Sequence, residues 1–90
     1  MDIVVGALVK SKAGRDKGRL FIVLQLLDEQ FVTIADGDLR KIESPKKKKK
    51  KHLQVTSTIL QGFIDKKEQN APNLNAELRK MIISVANEND

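Results

Sequence analysis

The 90 residues include 17 Lys+Arg against 12 Asp+Glu, a formal net charge of +5, with 40% hydrophobic content. That is one domain's worth of chain, enough to close a single core but too short for a catalytic domain plus a regulatory one. The chain has no cysteine and a single histidine, His52, which excludes a disulfide framework and a zinc finger and leads us to expect no cofactor.

Met1–Gly6 shows neither the basic n-region nor the cleavage site of a secretory leader, and no apolar run nears the roughly 20 residues of a membrane span. The expectation is a cytoplasmic protein without a membrane partner. There is no Trp or Tyr and only three Phe. A nucleic-acid partner would therefore be held by charge and shape rather than by bases stacked on exposed rings.

In chain order, Ile3–Val9 is an apolar, β-branched stretch interrupted by Gly6 and ending in Lys10-Ser11-Lys12, which predicts a first strand. Ala13–Gly18 is polar with two glycines and reads as a turn using backbone angles closed to other residues. Leu20–Leu27 is apolar on both strand faces, so it must be covered from both sides. Asp28-Glu29-Gln30 turns into a third strand, Phe31–Ile34, and Gly37 separates this from a predicted fourth strand, Leu39–Ile42. Phe21 and Phe31, each inside an apolar strand, are expected in the core. Pro45 and the lysine run form the next loop, followed by a short apolar return at Leu53 and Val55. Several short strands with tight turns predict a small closed or nearly closed barrel over residues 1–56.

After Thr56 the period becomes helical. Ile59, Leu60, Phe63 and Ile64 follow a Thr58-x-x-Gln61 spacing that matches a capping box, with Gly62 weakening the helix by about 1 kcal/mol relative to alanine. Asn70–Asn73 links it to a second stripe, Leu74, Leu78, Met81, Ile82 and Val85, with Asn73 or Asn75 as N-cap. Residues 57–90 are thus expected to form a two-helix extension packed on the outward face of the second strand. It could also offer a protein contact.

The positive charge is concentrated. Residues 1–56 hold 13 Lys+Arg and 7 Asp+Glu, a net of +6, whereas residues 57–90 net −1. An asymmetry of this kind points to a polyanionic partner. Two segments carry it. In Lys10–Arg19 the glycines let the backbone turn so that amides and the flanking Lys10, Lys12, Arg15, Lys17 and Arg19 face a phosphate backbone. It is not a nucleotide-phosphate loop, because Gly18 is followed by Arg19-Leu20 rather than Lys-Ser/Thr. Lys46 to Lys51 is a six-lysine block. On the sequence alone it cannot be buried, and self-repulsion should keep it a mobile loop until phosphates neutralise it. Lysine makes point-charge contacts without arginine's bidentate fork, so this block should supply affinity and little sequence specificity. His52 reads as structural or solvated, its charged form disfavoured by the lysines before it. Asp2, Asp16, Asp28, Glu29, Asp36, Asp38 and Glu43 read as turn residues, with no acid-base or nucleophilic constellation, which leads us to expect a non-enzymatic protein.

Val9-Lys10 through Gly18-Arg19 into Phe21-Ile22-Val23, then Asp28–Val32, resembles a KOW motif. With Arg40-Lys41 and His52-Leu53 added, the chain resembles large-subunit ribosomal protein fourteen of archaea and eukaryotes and its stand-alone bacterial relatives, and Asn75–Lys80 is similar to their short helical tail. The resemblance implies a mainly β fold with α, a small SH3-like barrel followed by a C-terminal helical hairpin, that binds structured RNA, ribosomal RNA in particular, with a role in translation or ribosome assembly. By match to the motif, Gly18 is its hallmark glycine and Arg15, Lys17 and Arg19 its RNA-facing cations. The RNA-binding set expected from charge and resemblance together is Lys10, Lys12, Gly14, Arg15, Lys17, Gly18, Arg19, Arg40, Lys41, Lys46, Lys47, Lys48, Lys49, Lys50, Lys51 and His52. The other reading is a protein-interaction barrel of the transcription or translation machinery docking on an acidic partner. The absence of Trp and Tyr counts against a proline-rich ligand for it.

Overall fold

A computed structural model describes residues 2–88. Its elements are β1 (Ala7–Ser11), β2 (Leu20–Leu26), β3 (Phe31–Ala35), β4 (Lys46–Lys49), a 3-10 turn (Lys50–His52), β5 (Leu53–Ile59), α1 (Gln61–Glu68) and α2 (Leu74–Glu88). The five strands form one antiparallel sheet in the order β4-β3-β2-β1-β5. The closed or nearly closed barrel expected from the strand count is, among the described residues, an open sheet with no β4–β5 ladder.

The alternation of β2 decides the layering, because successive side chains of a strand point to opposite faces. Phe21 and Val23 join Ala7, Val9, Val32, Ile34 and Leu53 in an inner cluster. Ile22, in between, points the other way and meets Ala35, Phe63, Ile64 and Leu78, with Leu24 packed alongside. The two-sided apolar strand is thus covered on its outer face by α1 and α2 at Ile22 and Leu24, whereas Leu26 and Leu27, expected to be covered as well, are exposed beyond the reach of the helices. Where β5 shifts register against β1 between Ala7 and Val9, the Thr56 hydroxyl donates to the Leu8 carbonyl at 2.7 Å and keeps that carbonyl paired.

Three local expectations are corrected. The predicted fourth strand, Leu39–Ile42, is part of an irregular connection. Asp36 sets its course: its Oδ1 accepts from the backbone amides of Asp38 (3.0 Å) and Arg40 (2.8 Å), bending the chain away from the sheet. The fourth strand is instead Lys46–Lys49, in the lysine run expected as a loop. The Thr58–Gln61 capping box does not form. Thr58 stays in β5, Leu60 takes the N-cap position without a side-chain bond, and Gln61 Nε2 donates forward to Asp65 at 3.1 Å. Pairing of Ile59 with Ala7 and of the Leu60 amide with the Gly6 carbonyl holds this stretch extended.

α1 ends with Asn70 at φ 54°, and the Asn70 and Ala71 amides donate to Lys67 and Lys66 carbonyls. Asn73, at φ 60°, precedes α2 and its carbonyl accepts from the Glu77 amide. The Asn75 side chain does not cap the helix. Its Oδ1 accepts from the Ile42 amide at 2.9 Å and its Nδ2 donates to Glu43 at 2.7 Å, fastening the irregular connection to α2. Gly37 is required there: it has φ +79°, and a Cβ would collide with the Asn75 backbone.

Candidate functional site

The two basic segments meet through side-chain contacts between the β1–β2 loop and β4, and the lysine strand explains how. Residues directly opposite in an antiparallel pair share a face. Lys46 lies opposite Ile34 and Lys48 opposite Val32, both inner-core positions, while Lys47 and Lys49 lie opposite Thr33 and Phe31 on the outer face. The four strand lysines, Lys46 to Lys49, therefore divide by parity. Lys48 is 8% exposed, and its ammonium donates to the Ala13 carbonyl at 3.0 Å. Lys46 donates to Asp16 Oδ2 at 2.9 Å, and the Arg40 guanidinium lies 3.9 Å from Oδ1 of the same carboxylate. The expectation that this block cannot be buried fails at Lys48, because a carbonyl and a carboxylate from the β1–β2 loop satisfy its inward positions.

Asp16 is the pivot. Its side chain is 1% exposed. The hydrogen bond from Lys46, with the charges of Lys46, Arg40 and Lys48, holds its carboxyl below the usual carboxylate value against the opposing effect of burial. From the sequence, Asp16 reads only as one of several turn residues. The signal that could have singled it out is its position between Arg15 and Lys17, where an aspartate facing solvent would only cancel the charge of a binding loop.

A second staple sits beside it. Arg19 pairs with the buried carboxylate of Asp36 at 3.1 Å and with Asp38 at 3.5 Å. Arg79 of α2 donates to the Gly37 carbonyl and Lys41 to the same carbonyl at 3.4 Å. The loop itself is bent by Gly14 and Gly18, at φ +80° and +90°, in agreement with the turn reading. The Gly18 amide donates to the Ser11 carbonyl at 2.8 Å.

Among the described residues, Lys10, Lys12, Arg15 and Lys17 of the first segment and Lys50 and Lys51 of the second have no side-chain hydrogen bond or ion pair, and neither do Lys47 and Lys49, which lie over the Phe31 ring at 4.4 and 5.9 Å from its centroid. The segments adjoin because Lys10 pairs with Gln54, Ser11 with Leu53, and the Lys12 amide donates to the His52 carbonyl at 2.8 Å. His52 registers the resulting field: burial first, then Lys51, Lys48, Lys49 and Lys12, lower its pKa from the ordinary 6.5. The structure thus brings together the loop, β4 and the 3-10 turn, while Arg19, Arg40, Lys46 and Lys48 are engaged in holding them. Phe31, expected in the core, is only half-buried at the start of β3.

No group of three or more His, Asp or Glu side chains arranged to hold a metal occurs among the described residues. No helix of the described residues is long and apolar enough to cross a membrane. No protein-family model matches the chain, and no curated protein matches it closely enough to count as a relative.

Proposed function

We propose that this protein is a non-catalytic RNA-binding module that grips structured RNA, ribosomal RNA first among the candidates, through the phosphate backbone. In this reading the open sheet is an SH3-like barrel of the KOW type, in which side-chain staples between the β1–β2 loop and β4 take the place of a closing ladder. The observation that carries the reading is the division of labour among the cations. Arg19, Arg40 and Lys46 engage the carboxylates of Asp36, Asp38 and Asp16, Lys48 binds the Ala13 carbonyl, and together they make a scaffold. Eight others are left with no carboxylate partner among the described residues: Lys10, Lys12, Arg15, Lys17, Lys47, Lys49, Lys50 and Lys51. A cationic surface built on a rigid frame suits a ligand whose charge is regularly spaced, and lysine point charges suit phosphate rather than base edges.

The test is filter binding of structured ribosomal RNA across a salt series. Each neutralised phosphate contributes about −0.9 to the slope of log K against log salt, so eight free cations predict a slope no steeper than about −7. Binding no tighter than that of an unrelated basic protein of equal charge overturns the proposal. Equal affinity for polyglutamate and RNA would turn it towards an acidic protein partner.

A further inference from the structure

Phe21 and Phe63 are fully buried, but Phe31 is not. Its ring lies on the outer face of the sheet, beyond the stretch that α1 and α2 cover at Ile22 and Ala35. Two ammonium groups stand over it, Lys47 at 4.4 Å and Lys49 at 5.9 Å from the centroid. One step along the same face, Thr33 lies between Gln25 of β2 and Lys47 of β4. There an open groove of about 460 Å³ is lined by Leu24, Gln25, Thr33, Ile42, Pro45 and Lys67. The Gln25 amide and the Thr33 hydroxyl make no side-chain hydrogen bond among the described residues, and the groove lining includes no carboxylate. The acidic turn Asp28-Glu29 precedes Phe31, and Asp28 Oδ1 is directed to the backbone, accepting from the Gln30 and Phe31 amides at 2.8 Å each.

We propose that Phe31 and the adjoining groove form a subsite for an unpaired RNA nucleotide, with the base stacked on the Phe31 ring and its phosphate taken by Lys47 and Lys49. The proposal rests on the RNA reading above and adds a base-directed contact to a surface that otherwise reads only backbone. The argument is one of exchange. A surface cation–π contact is worth about 0.5–1 kcal/mol, and a nucleotide replaces both halves of it: its base takes the ring face and its phosphate takes the displaced ammonium. A protein ligand with acidic side chains would draw off the ammonium but leave the ring uncovered. The groove volume falls within the range of small-ligand sites, and its amide and hydroxyl can meet a base edge. Aromatic scarcity therefore does not exclude stacking: one ring, correctly placed, serves one base.

The experiment compares the intact protein's affinity for a single-stranded RNA 12-mer with that for an abasic 12-mer of the same charge. Stacking by one base is expected to favour the base-containing strand by about 5- to 150-fold. Phe31→Leu should remove that preference, and Phe31→Tyr should retain it. A second readout needs no variant: 4-thiouridine in the 12-mer should photocrosslink to Phe31 or its immediate neighbours on β3 and β4. Equal affinity for the two strands, or crosslinks confined to the β1–β2 loop, overturns the subsite while leaving backbone binding intact. Failure to bind either strand or structured RNA overturns the RNA reading itself.

Discussion

The two basic segments, Lys10–Arg19 and Lys46–Lys51, look different in sequence and solve the same problem in opposite ways. The first is a loop shaped by glycines, with one internal carboxylate, Asp16, that faces inward and anchors it. The second is a strand with no internal counter-charge, and it borrows that same carboxylate through Lys46 and the Ala13 carbonyl through Lys48. Each segment spends part of its charge on holding the other. Formal charge in the sequence therefore overstates charge offered to a ligand, and what remains is set by strand parity rather than by residue type.

The largest effect that would break this comparison comes from replacing Lys47, Lys49, Lys50 and Lys51 together by Ala. RNA affinity at 0.1 M salt should fall about 10²–10³-fold and the salt slope should flatten by about 3–4, with the urea midpoint nearly unchanged. Next, Asp16→Ala leaves Lys46 without its acceptor and Arg40 without its neighbouring carboxylate, and should cost about 1–3 kcal/mol in urea denaturation. Gly18→Val should cost about 1–2 kcal/mol through its left-handed φ of +90°, since nothing lies within 4 Å of a Cβ built there.

Acidity sharpens the comparison further. Asp16 has a folded-state pKa below its unfolded value near 3.8, so its stabilising contribution is complete above that value and is lost as pH falls through the folded pKa. The decline in stability below about pH 4 should therefore be shallower in Asp16→Asn. His52 is displaced in the same direction: burial and then the nearby lysines hold it below 6.5 in the free protein, and phosphates bound nearby should raise it. An NMR titration of its imidazole with and without RNA should show that upward shift. The smallest effect expected is on stability in Lys47→Ala, within about 0.5 kcal/mol.

Much of this arrangement was legible in sequence. The two-faced apolar run Leu20–Leu27 required cover on both sides, and the stripe Leu74, Leu78, Met81, Ile82 supplied it as far as Leu24, leaving Leu26 and Leu27 exposed. The glycines at 14 and 18 announced their left-handed turns. The parity of the lysine run was not legible, because six identical residues carry no periodicity and repulsion argued for a loop. The strand forms because β3 pairs with it and the β1–β2 loop accepts its inward charges, which are contacts between residues about 30 apart. Phe31 was hidden for a related reason. Its apolar neighbours Val32 and Ile34 are core, but it lies on the opposite parity to both, at the end of the strand that the helices do not reach. Leu39–Ile42 had strand-like composition, but Asp36 bends the chain there by a side-chain bond to the backbone.

The central claim, that inward and outward lysines of one strand have separate roles, is tested most directly by comparing two double variants in the same salt series. Lys47→Ala/Lys49→Ala should flatten the slope of log K against log salt by about 2 and leave the urea midpoint in place. Lys46→Met/Lys48→Met should lower the urea midpoint and leave the slope of the folded protein as it is. Equal changes in slope from the two pairs would contradict the account.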